Sequence, residues 1–190
     1  MRTASSDTPS QYPKIPGANN LSMTDPTAYK KATFAAGCFW DIEAAFRNME
    51  GVLDTVAGYT GGSVPDPTYE QVESGTTGHA EAVGVLFDPA IVTYEQLLDR
   101  FFSLHDPTRA DGQGDYTGPQ YRSAIFYHDE SQKETALAFR DRLAAAERYG
   151  DRPIVTEILP VVTFWPAEEC HQQFYAKCGQ GYCTSRQIFE

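Results

Sequence analysis

Apolar positions sort this chain into alternating and helical stretches that begin near Lys30. Residues 31–36 form a short apolar run ending at Gly37, as a buried strand does. Phe39, Ile42, Ala45, Phe46 and Met49 recur at helical spacing, so Cys38 to about Asn48 reads as a helix closed near Gly51. Val52–Tyr59 alternates as a second strand. Ala80–Phe87 is a third, with Glu81, Val83, Val85 and Phe87 on one face. Thr93 and Gln96 have capping-box spacing and open a helix carrying Leu97, Leu98, Phe101 and Phe102. Arg122–Tyr127 reads as a strand. Asp129 caps a long amphipathic helix with Leu137, Phe139, Leu143 and Ala144, running to about Tyr149. Ile154–Phe164 is rich in β-formers and interrupted by Pro160.

The resulting order is β-α-β-β-α-β-α-β, an α+β pattern with a ferredoxin-like split βαβ core: a mostly antiparallel mixed sheet with packed helices and an extended C-terminal coil. Residues 1–28, rich in Ser, Thr, Pro, Asn and Asp without a hydrophobic period, read as a mobile tail. Residues 29–190 form one domain that ends in a cysteine-bearing arm from about 166 to 190. Two loops, 59–67 and 106–120, are dense in Gly, Pro and Asp.

Composition narrows the function classes. The 15 basic against 26 acidic residues give a charge of −11, which argues against nucleic-acid and membrane partners. No run approaches the ~20 apolar residues of a membrane span. The first residues lack the apolar core of an export signal, so the expected location is cytoplasmic and the expected state a soluble monomer. Four cysteines in 190 residues are too sparse for a disulfide scaffold, which leaves catalysis, metal binding or core packing.

Cys38, in Gly37-Cys38-Phe39-Trp40, stands at a strand-to-helix junction, where exposed N–H groups and the helix dipole favour thiolate; the same position also suits a small buried hydrophobe. Phe39 and Trp40 are placed to wall an apolar pocket. Glu81, if it shares the face of Val83 and Val85, is a desolvated carboxyl suited to donate a proton; otherwise it is an edge residue facing water. His79 is either a base or a structural hydrogen-bonding residue. Tyr69, Tyr121 and Asp115 lie in the Gly/Pro-dense loops where sites are commonly built. Cys170, Cys178 and Cys183 cluster near the C-terminus. A zinc site there lacks the usual paired knuckle, so no metal or other cofactor is expected.

Seven collinear motifs carry a resemblance: residues 37–40, 58–62, 67–70, 77–81, 105–108, 120–123 and 171–173. Together, over about Lys30 to Cys183, they resemble peptide methionine-S-sulfoxide reductases of the A type. The resemblance implies Cys38 as nucleophile, Glu81 as acid, and Tyr69 and Tyr121 as partners of the sulfoxide oxygen. It gives Phe39 and Trp40 to the substrate methyl, and Asp115 to substrate binding. It implies reduction of the S epimer of methionine sulfoxide, free or in oxidised proteins, with a sulfenic acid on Cys38. Cys183 matches the first resolving position, and thioredoxin would be the reductant. Cys178 stands where the family often has Asn, and is a candidate second relay. Cys170 replaces an aromatic and is expected in the core. Asp41 and Pro119 are further departures. A cysteine hydrolase using His79 or His171, and a non-catalytic peptide-binding module, are the competing readings.

Overall fold

The computed structural model describes residues 29–178; the 1–28 tail and Cys183 lie outside the described residues. In chain order the elements are β1 (Lys30–Ala36), α1 (Phe39–Arg47), β2 (Val52–Thr60), α2 (Tyr69–Glu73), β3 (Ala80–Phe87), α3 (Tyr94–Ser103), β4 (Gly112–Gln113) and β5 (Tyr116–Thr117). After a 3-10 turn at Pro119–Tyr121 come β6 (Ser123–Tyr127), α4 (Glu130–Ala145), β7 (Glu157–Pro160), β8 (Trp165–Pro166) and α5 (Phe174–Cys178).

The six-stranded sheet has the order β7-β6-β1-β3-β2-β8. Its four central strands pair antiparallel, and only β7 runs parallel to its neighbour β6. Removing the edge strands leaves β-α-β-β-α-β with β1 and β3 central, which is the expected split βαβ core. One face buries Phe34, Val83, Val85 and Ile125 against Phe39, Phe46, Leu98 and Phe101 of the helices. The other face is built from Ala35, Ala80, Ala82 and Ala124 with Val56 and Phe126, and is covered by Val161 and Phe164. Small residues suit that face because a crossing chain segment packs on it, not a helix.

Local signals account for most boundaries. Thr93 and Gln96 form the full reciprocal capping box on α3, and the Asp129 side chain accepts from Gln132 N to start α4. α4 ends at Ala145, earlier than the periodicity predicts. Its core stripe is Gln132, Ala136, Phe139 and Leu143; Leu137 is half-buried and Ala144 exposed, so the stripe is rotated from the expected one. The 154–164 run does not form a single strand. It contributes β7 to one sheet edge, crosses the alanine-rich face, and leads to β8 on the opposite edge.

Gly58 marks where β8 presses on β2. A Cβ there would fall 2.6 Å from the Phe164 ring and still closer to the Trp165 carbonyl oxygen. Gly58→Ala is expected to cost about 1–3 kcal/mol through overpacking, read as a lower thermal unfolding midpoint. An unchanged midpoint would mean that β8 gives way without loss.

Candidate active site

Gly37 turns the chain out of β1 at φ +99°, in the left-handed region. A Cβ there would sit 2.9 Å from the Gln113 side chain, so the β4–β5 hairpin is pressed against the residue before the thiol. Cys38 is the N-cap of α1 and only 6% exposed. That position sets it at the positive dipole end of the helix.

The next residue ties the helix start to the carboxyl. Phe39 N–H donates to Glu81 Oε2 at 2.9 Å. Glu81 is 2% exposed and faces Tyr59 in the β2–β3 ladder. Burial pushes its pKa up to about 8; the Phe39 N–H bond opposes this, and the negative charges of Glu73 and Asp41 reinforce it. At neutral pH Glu81 is thus largely a neutral acid, as the apolar-face alternative from the sequence requires.

Tyr69 is the first residue of α2, whose capping box joins Thr68 and Gln71. Tyr121 ends the 3-10 turn and is 7% exposed. Burial raises both phenol pKa values, that of Tyr121 to about 12, and the charges of Glu81 and Cys38 add to each. Two loops distant in sequence thereby converge on the same thiol and carboxyl, with phenols that keep their protons at physiological pH. Arg122 fixes the surrounding turns, donating to the carbonyls of Pro119 and Gly78 and to Glu157.

An aromatic wall stands beside the thiol. Phe39 and Trp40 ring centroids are 6.1 Å apart, and Tyr69 lies 6.2 and 6.3 Å from them. His171 closes the group at 4.3 Å from Tyr69 and 5.6 Å from Trp40. Burial lowers the His171 pKa, partly opposed by Glu168, so the ring is neutral at pH 7. Phe174 stacks on Trp40 at 4.0 Å.

His79 is excluded as a base by its bonds. Its Nδ1 accepts from Gly62 N–H, and its Nε2–H donates to the Val64 carbonyl. It is a structural post for the 61–68 loop. Asp115 lies exposed in the turn of the β4–β5 hairpin. Its neighbour Tyr116 contacts Tyr121, with ring centroids 5.2 Å apart. Cys170 is exposed, contrary to the core position expected from its replacing an aromatic: it sits in a surface turn before His171. Cys178 ends α5, and its side chain lies outside the described residues. No group of three or more metal-ligating side chains occurs among the described residues.

The sequence profile of the family described as peptide methionine sulfoxide reductase matches residues 30–189. This chain belongs to that family. "Peptide methionine sulfoxide reductase MsrA" of Acidobacterium capsulatum is 53% identical over 153 residues, 80% of this chain and 97% of that protein. Among solved structures, reduced Mxr1 of Saccharomyces cerevisiae superposes with TM-score 0.79 at 34% identity, covering 87% of this chain and 95% of that one. The same yeast protein in complex with Trx2 matches with TM-score 0.56 at 28% identity, over 79% and 87% of the two chains. Within this family member, sequence reasoning gave no role to Glu168, Tyr59 or Phe174, and it weighed His171 as a base and as part of the 171–173 motif. Glu168, His171 and Phe174 are brought to the site by long-range packing of the 165–178 segment, which has no local period, and Tyr59 by its place opposite Glu81 in the β2–β3 ladder.

Proposed function

We propose that the protein reduces the S epimer of methionine sulfoxide, free or in oxidised proteins, and repairs oxidative damage with thioredoxin as the source of electrons. The observation that supports this most is the joining of the Cys38 helix start to a neutral Glu81 through the Phe39 N–H, with two protonated phenols beside them. A sulfoxide sulfur becomes electrophilic when its oxygen is protonated or strongly hydrogen-bonded. Tyr69 and Tyr121 donate to that oxygen, Glu81 supplies the proton, and Phe39 and Trp40 receive the methyl group. Asp115 contributes to substrate binding from the hairpin.

The Cys38 thiolate attacks the sulfur and forms a sulfur–sulfur bond; the protonated oxygen then passes to the Cys38 sulfur as the sulfur–oxygen bond and the new sulfur–sulfur bond break. Methionine leaves with the sulfur reduced by two electrons, while the oxygen and its proton end on Cys38 as sulfenic acid. A second thiol then attacks Cys38, a disulfide forms, and water leaves. A thioredoxin dithiol restores both thiols by exchange and is itself oxidised. The yeast relative solved with Trx2 supports this last step. Cys183 is the first resolving thiol in this reading and Cys178 a second relay. Among the described residues no helix is long and apolar enough to cross a membrane. The −11 charge supports a reading without nucleic-acid or anionic-membrane partners, and within that reading the protein acts as a cytoplasmic monomer.

The test is consumption of racemic methionine sulfoxide with dithiothreitol, expected to stop at half with the R epimer left over. Cys183→Ser should still form one methionine per Cys38 in a single turnover without reductant, and lose at least about tenfold in thioredoxin-driven turnover. Full thioredoxin-driven turnover in Cys183→Ser would hand the resolving role to Cys178.

A further inference from the structure

The segment that leads to the resolving thiols is itself built into the site. The Gln172 side chain accepts from Ala57 N–H and donates to the carbonyls of Ala57 and Ala167, docking the segment on β2. Gln173 N–H donates to the buried Glu43 Oε2 at 2.7 Å, and the Tyr175 hydroxyl donates to Asp41. Between β8 and these anchors stands Glu168, with one carboxylate oxygen for each of two site elements. Oε2 accepts the Tyr59 hydroxyl at 2.9 Å, and Oε1 accepts the main-chain N–H of Tyr69 at 2.9 Å. Tyr59 is fully buried, packed on Phe39 and opposite Glu81. One side chain therefore bridges the strand facing the proton donor and the start of the helix that carries a phenol.

We infer that Glu168 is a positioning residue that holds Tyr69 at the sulfoxide oxygen, so that the segment carrying the resolving thiols also assembles the site that loads Cys38. This rests on the role given above to Tyr69. A five-residue helix gains little from its own hydrogen bonds, so its place is set by outside contacts, and Glu168 reaches its first N–H. Both bonds need only acceptor and donor geometry. An amide at 168 keeps an acceptor for Tyr69 N–H and donates to the Tyr59 oxygen, whereas alanine keeps neither.

The test is the single-turnover rate of methionine formation without reductant, which reads the first step alone. Glu168→Ala should lower it about tenfold, and Glu168→Gln should restore most of that loss. In a Tyr69→Phe background the Glu168→Ala loss should shrink to less than about twofold, because the phenol it positions is already gone. Tyr59→Phe removes one of the two bonds to the same carboxylate without touching α2. Its smaller loss should likewise vanish beside Tyr69→Phe, and it keeps the test open if Glu168→Ala folds poorly. Equal losses in both backgrounds would overturn the inference and make Glu168 a general structural support. A Tyr69→Phe protein as fast as wild type would instead remove the role of Tyr69 on which it rests.

Discussion

Cys38→Ser is expected to abolish methionine sulfoxide reduction, by about a thousandfold or more with dithiothreitol, in a protein that stays folded. The chemistry allows no partial substitute. In the proposed mechanism the thiol is both nucleophile and electron donor, and its sulfur leaves the first step two electrons more oxidised. A serine oxygen taking over that step would have to become a peroxide, which the reaction does not supply the energy to form. The fold has no matching reason to suffer. Cys38 is the N-cap of α1 and has no side-chain capping bond, and serine is among the preferred residues at that position, worth about 1 kcal/mol where its oxygen reaches an N–H. The paired readout is loss of turnover with an unchanged or raised unfolding midpoint. Residual activity above a few per cent would transfer the attack to another group, and the only other cysteine with a described side chain, Cys170, lies exposed in a turn.

What was legible in the sequence divides along the range of the interactions. The Thr93–Gln96 box and the Asp129 cap are local devices, and both form as their spacing predicts. The period-two spacing put Glu81 on the face of Val83, Val85 and Phe87 but left open whether it faced water, and the structure buries all four. Short elements were missed: α2 lay inside a stretch read as loop, although Thr68 and Gln71 repeat the capping-box spacing of α3. The β4–β5 hairpin spans only residues 112–117, beyond the reach of any periodicity. The remainder of the site is not local. Glu168 and His171 join Tyr69 across about a hundred positions, and Glu43 is buried on α1 because Thr55 and Gln173 meet it from other elements. The family motifs named the groups proposed to react, while the supporting carboxylates became visible only with the packing.

Glu81→Gln is expected to lower the rate about a hundredfold or more and to reshape its pH dependence. The glutamine amide oxygen still accepts from Phe39 N–H, so α1 stays in place and only the proton is lost. In the wild type Glu81 titrates at about 8, raised first by burial and then by Glu73 and Asp41. Above pH 8 the proton donor is progressively absent, and the rate of the first step should fall about tenfold per pH unit. That alkaline limb should vanish in Glu81→Gln. The same shift fixes a stability signature. The folded protein keeps a proton that an unfolded chain, with the ordinary value of 4.5, has released. Stability therefore declines as pH rises between 4.5 and about 8, and levels off above it. Glutamine carries no charge at any pH, so the variant should lose less stability across that window than the wild type. A Glu81→Gln enzyme that keeps the alkaline limb, or half the rate, would assign the proton to another acid, and the same pH series of unfolding midpoints would show whether Glu81 titrates in the folded protein at all.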